Sequence, residues 1–242
     1  GRPKGNWGDK MDLVWEGIRQ AFWLIVRRDP EVTEVFLLTL RVSGSATLIS
    51  MCIGVPLGSL LGIWRFAGRG LVSTLVNTGM GVPPVVVGLV VTIMIWRSGP
   101  LGALGILYTP WAMVLAQVVI ALPIVTGVSM AAMSQVDPRL RHQLFGLGAS
   151  RLQAFWVQVQ EARLPLLTAV MAGFGGVISE VGAVMMVGGN IKGDTRVLTT
   201  ATVLAANRGE FGLAIALGII LLLLAFSVNL VLTFLQRKGR LQ

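Results

Sequence analysis

Residues 211–235 read FGLAIALGIILLLLAFSVNLVLTFL, a run without a single charged side chain. Its only polar side chains are those of Ser227, Asn229 and Thr233. A helix needs roughly 20 apolar residues to cross a hydrocarbon core of about 30 Å. The run therefore predicts a membrane-spanning helix, and the rest of the chain is best understood against a lipid bilayer.

Four further stretches have the same character, residues 35–64, 71–96, 111–133 and 164–191. The first of them carries one charge, Arg41, and the fourth carries one, Glu180. All five are too long for barrel strands and lack the alternation of polar and apolar residues that barrel strands show. The predicted fold is therefore all-α, a polytopic membrane protein with five transmembrane helices.

The composition excludes several classes of protein. Hydrophobic residues make up 54% of the 242 residues and charged residues only 13%, about half the charged share of soluble domains. One cysteine and one histidine leave no cluster for a disulfide framework, a metal site or a Ser/His/Asp site. No Gly-rich phosphate loop ending in Gly-Lys-Ser/Thr is present. We expect no catalytic residue, metal ligand or cofactor-binding residue in this chain.

The net charge of +9 could indicate nucleic acid, but the basic residues are spread among loops and ends. We therefore expect lipid contact and no nucleic-acid partner. We take the loop after the third span as cytoplasmic. The cytoplasmic side of the membrane then carries nine basic residues: Arg65, Arg69, Arg139, Arg141, Arg151, Arg163, Arg237, Lys238 and Arg240. The outer loops carry four: Arg97, Lys192, Arg196 and Arg208.

This distribution agrees with the positive-inside rule, although six more basic residues in the N-terminal tail cancel the bias. An odd number of spans places the termini on opposite sides of the membrane. The expected location is a bacterial-type inner membrane, crossed several times, with the N-terminus outside and the C-terminus in the cytoplasm.

The chain ahead of the first span has a different pattern. Residues 11–28 place Val14, Ile18, Phe22 and Ile25 on one side of a helix, which is typical of a helix lying in the membrane interface. Asp29-Pro30 then ends that helix. The expected organisation is a tail with an interfacial helix over 1–31, a transmembrane domain over 32–236 and a cytoplasmic basic tail over 237–242.

The loop between the third and fourth spans, about residues 134–163, is too long for a simple connection. Asp137 followed by Pro138 predicts a helix start, and Gly148 suits a helix end that requires a positive φ. Ser150 and Gln153 have the spacing of a capping box, which predicts a second helix. The first helix carries Leu140, Leu144, Phe145 and Leu147. These apolar side chains either bind a partner protein or pack on the spans of the same chain.

Two features of the spans have alternative interpretations. A carboxylate in lipid costs roughly 2.5 kcal/mol or more, so Glu180 either braces the structure or takes part in gating. Pro83-Pro84 interrupts the second span, either as a kink or where the chain lines a water-filled path. Gly54, Gly58 and Gly62 recur every four residues, which favours close helix packing.

Residues 137–165, from Asp137 through Gly148-Ala149-Ser150 to Leu164-Pro165, resemble the cytoplasmic EAA loop of ABC-importer permeases. His142-Gln143-Leu144 stand where that loop has Glu-Ala-Ala. Residues 179–200, SEVGAVMMVGGNIKGDTRVLTT, are similar to the fourth span and outer loop of tungstate-transporter permeases, which are relatives of the molybdate permeases. Residues 83–88, PPVVVG, and 97–102, RSGPLG, match the same group.

The resemblance implies a type I, MetI-like permease fold in a homodimer. It also implies two ATP-binding subunits that hold ATP and Mg²⁺, an extracytoplasmic oxyanion-binding protein, and import of tungstate, with molybdate or another oxyanion as the alternative. The residues assigned to coupling are Asp137, Pro138, Leu140, Leu144, Phe145, Gly148, Ala149 and Ser150. An ATP-independent secondary carrier is the alternative from another class, and it would require charged groups at the membrane midplane and an internal repeat.

The outer loop, about residues 188–210, is then expected to form a gate. Gly188-Gly189-Asn190 stops the fourth span, and residues 197–206 are apolar enough to re-enter the membrane. A passing dianion needs neutral donors that bind it weakly. The residues assigned to the path or gate are Pro83, Pro84, Glu180, Asn190, Thr195, Thr199 and Thr200. An ordinary solvated outer loop is the alternative.

Overall fold

A computed structural model describes the backbone of residues 7–238 and the side chains of residues 12–237. The expectations for residues 1–6 and 239–242 lie outside this part. The helices are α1 (Trp7–Val26), α2 (Pro30–Ile63), α3 (Arg69–Met80), α4 (Pro84–Ile95), α5 (Pro110–Ser134), α6 (Pro138–Gly146), α7 (Arg151–Glu161), α8 (Arg163–Ile178), α9 (Gly182–Gly188), α10 (Leu198–Asn207) and α11 (Phe211–Lys238). A short 3-10 turn, Gly102–Leu104, precedes α5.

Three of these helices, α2, α5 and α11, are each long and apolar enough to cross a membrane. The number rises to five when two bent pairs each count as one span, α3 with α4 and α7 with α8. The first pair bends by 102° and the second by 68°. The structure therefore allows up to five spans, but two of them are bent pairs, and the second pair, residues 151–178, only partly overlaps the predicted stretch 164–191.

The bend between α3 and α4 falls at the predicted interruption. Pro83 has extended backbone geometry ahead of α4, and Pro84 is the first residue of that helix. Proline lacks a backbone N–H donor, so neither residue can continue the hydrogen bonding of α3. The fourth apolar stretch, 164–191, was predicted as one span but is divided into α8 and α9 by residues 179–181.

The closest packing in the bundle joins α2 to α5 through Gly58 and Gly62. A Cβ on Gly58 would lie 2.3 Å from the carbonyl oxygen of Thr126, and one on Gly62 would lie 2.6 Å from Cβ of Met133. Only glycine permits backbones to approach so closely. The prediction that these glycines serve helix packing is confirmed.

The N-terminal helix α1 packs along α11. Gly17 and Ala21 are buried, and a Cβ on Gly17 would lie 2.4 Å from Cγ2 of Ile215. The predicted apolar side is exposed, with Phe22 62% accessible, as expected for a face that lipid covers. The side chain of Asp29 accepts a hydrogen bond from Val32 N at 3.1 Å, so α2 begins directly at Asp29-Pro30, where the preceding helix was predicted to end, and ahead of the predicted stretch 35–64.

The predicted coupling and gate segments lie at opposite ends of the bundle. The C-terminal ends of α2 and α5 share a cleft with residues of α6 and α7. At the other end, Glu31 at the start of α2 contacts Lys192 and Arg196 of the loop before α10. The length of α2 separates the two segments, so any communication between them passes through the helices.

Candidate gate and coupling hairpin

The coupling hairpin, α6 and α7 with the turn between them, is built by local capping interactions. Asp137 Oδ1 accepts a hydrogen bond from Arg139 N at 2.8 Å. Ser150 Oγ accepts from Gln153 N at 3.3 Å, while Gln153 Oε1 accepts from Ser150 N at 2.8 Å. Gly148 has φ +83°. The predicted starts of both helices and the positive φ between them are confirmed.

The hairpin is attached to the bundle through α7. Ala154 and Gln158 of α7 are buried, and the Phe155 ring lies 6.5 Å from the Trp64 ring at the end of α2. By contrast, α6 has no buried residue, and its principal neighbour is α7. Of the two alternatives, packing on the spans of the same chain therefore applies to α7. Helix α6 keeps an exposed surface, called the open face of α6.

The open face carries both apolar and basic side chains. Leu147 is 85% exposed and Phe145 39%, while Leu140 and Leu144 are half-buried. The guanidinium carbon of Arg141 lies 5.5 Å from the centre of the Phe145 ring, within the range of a cation–π contact, and both side chains also line the cleft that α6 shares with α2 and α5. An exposed surface that combines apolar and basic side chains is typical of a protein docking site.

The candidate gate centres on the break between α8 and α9. Glu180 is half-buried, and its Oε1 accepts a hydrogen bond from Ala183 N at 2.9 Å. A carboxylate at the first turn of a helix satisfies an unpaired N–H group and interacts favourably with the helix dipole. Thr199 Oγ1 donates to the Glu180 carbonyl at 3.0 Å. Glu180 therefore links α8, α9 and α10 at one point.

Two other threonines brace the loop between α9 and α10. Thr195 Oγ1 donates to the Gly188 carbonyl and accepts from Ile191 N at 2.9 Å. Thr200 Oγ1 exchanges hydrogen bonds with the backbone of Val197. Both threonines are fully buried, so their hydroxyls serve the loop in this conformation. Their role as anion donors stays a prediction.

Gly189 caps the end of α9 with φ +72°, and Asn190, the next residue, also has a positive φ of +53°. The backbone oxygen of Asn190 is 3.5 Å from a guanidinium nitrogen of Arg196. The Lys192 ammonium of the outer loop lies 2.6 Å from a carboxylate oxygen of Glu31. Lys192 is largely exposed, so this pair contributes little to stability.

The proline break lies beside the same region. Gly88 of α4 packs on α9 so tightly that a Cβ there would be 2.6 Å from Cα of Ala183. A Cβ on Gly182 would be 2.7 Å from a methyl carbon of Val85, the second residue of α4. The structure thus brings the segment after Pro83-Pro84 next to the helix that Glu180 caps.

Sequence reasoning missed two buried polar residues that hold these elements. Thr39 Oγ1 accepts a hydrogen bond from Leu198 N at 2.9 Å and so ties α10 to α2. Gln117 Nε2 donates to the Val177 carbonyl at 3.1 Å, in the last turn of α8. Both are polar residues inside apolar spans, which is the signal that could have marked them.

The chain belongs to the family of binding-protein-dependent transport system inner membrane components, whose model matches residues 54–240. It is thus a multi-pass subunit of an ABC transporter in the inner membrane. It is 40% identical over 94% of its length to the whole tungstate uptake system permease protein TupB of Peptoclostridium acidaminophilum. The TupB protein of Campylobacter jejuni is 35% identical, over 94% of this chain and 95% of that protein. A probable anion ABC transporter permease protein of Haloferax volcanii is 43% identical, over 79% and 84%.

Solved structures agree on the fold. A chain of a bacterial alginate ABC transporter, in complex with an alginate-bound periplasmic protein, matches 95% of this chain and 88% of that chain with a TM-score of 0.74 and 18% identity. A chain of the MetNI methionine ABC transporter in an inward-facing conformation matches 90% and 97% with a TM-score of 0.67 and 20% identity. The all-helical, MetI-like permease fold expected from the sequence is confirmed.

Proposed function

We propose that this chain is the permease subunit of an ATP-driven tungstate importer. In the assembly two copies form the translocation path, two ATP-binding subunits bind at the α6 end, and a tungstate-binding protein docks at the opposite end. The substrate assignment is supported by two tungstate uptake permeases that are 35–40% identical over most of the chain. The observation that carries the mechanism is the open face of α6 at the end of the bundle opposite Glu180.

The proposed orientation follows from these partners. The α6 end lies in the cytoplasm, where ATP is available, with the C-terminus on the same side and the N-terminus outside. ATP and Mg²⁺ belong to the partner subunits, and this chain contributes no ATPase residue. Its own task is to convert the closure of the ATP-binding subunits into a change in the access of the path.

A continuous set of helices connects the coupling hairpin to the gate. Only Ala162 separates α7 from α8, and α8 has 16 residues, so it spans about 24 Å at 1.5 Å per residue. At its far end Gln117 holds the Val177 carbonyl and Glu180 caps α9. We infer that a movement of α6 and α7 reaches the gate along α8 as a rigid-body displacement.

Molybdate is the alternative cargo, because it shares the tetrahedral geometry and the two negative charges of tungstate. In this assembly the binding protein selects the anion. The permease needs only hydrogen-bond donors that bind the anion weakly along the path, since tight binding would prevent its release.

The decisive experiment is uptake into proteoliposomes that contain this chain with its ATP-binding subunit, supplied with the loaded binding protein. We expect tungstate uptake that requires ATP, is sensitive to vanadate and is lost without the ATP-binding subunit. Uptake by the chain alone under an ion gradient would instead support a secondary carrier. A chain that transports sulfate or molybdate but not tungstate would overturn the substrate assignment.

A further inference from the structure

Helix α3 has two chemically different sides. Arg69, Ser73 and Asn77, spaced four residues apart, line one cavity of about 630 Å³ between α3 and α5. The other side presents Val72, Leu75 and Val76, which line an apolar groove together with α2. Residues at a spacing of four lie on the same side of a helix, so the polar residues form a stripe along α3.

This cavity adjoins a second one at the coupling end. Arg69 and Ser134 line both cavities. The second cavity, of about 610 Å³, is also lined by Arg65 and by Arg141 and His142 of α6. Among the residues that the structure describes, no Asp or Glu lines either cavity. The two cavities together therefore offer several cationic groups and hydrogen-bond donors, with no described carboxylate in their lining.

The guanidinium of Arg69 lies at the junction of the two cavities. Its Nε donates to the Leu61 carbonyl at 2.7 Å, which anchors the side chain to the end of α2. From Arg69 to Asn77 the stripe rises about 12 Å along the helix, toward the break at Pro83.

Lipid is an unsuitable neighbour for this stripe. The partly buried Arg69, which was counted among the basic residues of the cytoplasmic side, and the exposed Asn77 need polar surroundings. The side of α3 with Leu75, which is 63% exposed, suits lipid. The stripe must therefore face water or the second subunit.

We infer that Arg69, Ser73 and Asn77 line the cytoplasmic half of the anion path. On this assignment Arg65, Arg69, Arg141 and His142 form a basic vestibule through which a tetrahedral dianion leaves. The inference rests on the proposed function as an oxyanion permease. Ser73 and Asn77 offer neutral contacts, and the basic vestibule attracts the anion electrostatically. Because Arg141 and His142 belong to α6, a movement of the coupling helix changes the shape of the exit.

Thiol labelling tests this assignment without depending on transport. Asn77→Cys is made in a Cys52→Ala background, since Cys52 is an exposed free thiol, and the assembled transporter is placed in inside-out vesicles. A negatively charged methanethiosulfonate should react at position 77 about tenfold faster than a positively charged reagent, because the cationic vestibule concentrates anions. Adding Arg69→Gln should reduce this preference.

Leu75→Cys is the matched control on the opposite side of α3, where neither charged reagent should react readily. Lack of reaction at position 77 in the assembled transporter would show that the second subunit covers the stripe, and this would overturn the inference. Equal rates for both reagents would also overturn it. Tungstate uptake by the parent protein, measured in parallel, tests the proposed function separately.

Discussion

Glu180 joins three helices through two hydrogen bonds, one at its carboxylate and one at its backbone carbonyl. Glu180→Gln keeps an oxygen that can accept from Ala183 N, whereas Glu180→Ala removes it. If the residue acts as a brace, Gln should preserve most uptake. Ala should lose about 1 kcal/mol of stability, as for the loss of a helix cap, together with most uptake. Thermal unfolding and tungstate uptake are measured for both variants. An equal loss of uptake in both would show that Glu180 acts through its negative charge and not as a brace.

Thr199 gives a second test at the same point. Thr199→Val removes the hydroxyl that donates to the Glu180 carbonyl, and a buried carbonyl without a partner costs about 1–3 kcal/mol. We expect slower uptake with unchanged affinity of the binding protein for tungstate. Thr199→Ser retains the hydroxyl and should transport normally. Normal uptake by Thr199→Val would remove this bond from the gate.

Residues differ in how far their roles could be predicted from the sequence. The roles of Asp137, Gly148 and Ser150 involve only the backbone within a few residues, so the local sequence pattern was sufficient to predict them. Thr39 contacts a residue 159 positions away and Gln117 one 60 positions away. No local pattern contains such partners. The bonds of Thr195 and Thr200 are local, but whether a hydroxyl bonds to the loop or faces the path depends on the fold.

At the scale of elements, the contact between α2 and α5 predicts a large effect from a single methyl group. Gly58→Ala would place Cβ 2.3 Å from the Thr126 carbonyl oxygen, and such overpacking costs typically about 1–3 kcal/mol. We expect a lower midpoint of thermal unfolding for the detergent-solubilised protein. Gly44→Ala is the control in the same helix, because no atom lies within 4 Å of its Cβ position. Equal stability of the two variants would contradict the close-packed interface.

The open face of α6 predicts the site of partner binding. Replacing Leu144 and Phe145 with Asp should abolish co-purification of the ATP-binding subunit and leave the permease inserted in the membrane. Ile191→Asp, at an exposed position near the opposite end, should retain the subunit. Unchanged co-purification by the double variant would contradict docking at α6.

The break between α8 and α9 was not predicted, although both helices are apolar as expected. The run from residue 164 to 191 contains no proline after Pro165, so nothing in the local pattern divides it. The structure ends α8 where Gln117 reaches Val177 and Glu180 caps the next helix. The end of α8 thus coincides with contacts of two side chains, Gln117 from α5 and Glu180, which composition does not reveal.

At the scale of the whole molecule, the two ends of the bundle should be accessible from different sides of the membrane. With Cys52→Ala as background, Leu147→Cys should react with an impermeant thiol reagent only from the cytoplasm. Ile191→Cys should react only from outside. Both side chains are exposed, so access and not burial limits the reaction. The reversed pattern would invert the proposed orientation.

The number of spans was predictable because apolar length alone determines it. The 102° bend between α3 and α4 was predictable in position, from Pro83-Pro84, but not in size. Orientation could not be settled from charge, because the six basic residues of the N-terminal tail, together with those of the outer loops, offset the nine on the cytoplasmic side. The open face of α6 also required the structure, since local pattern left open whether it packs on the bundle.

The contact between Gly58 and the Thr126 carbonyl restricts how the molecule can change shape. Helices in such close contact cannot slide past one another without backbone collision, so α2 and α5 form a single block during the transport cycle. Flexing is then left to the places where helices are interrupted, among them residues 81–83 and 179–181. A disulfide clamp or an inhibitor that stiffened either joint would arrest turnover while leaving the docking surfaces at both ends intact.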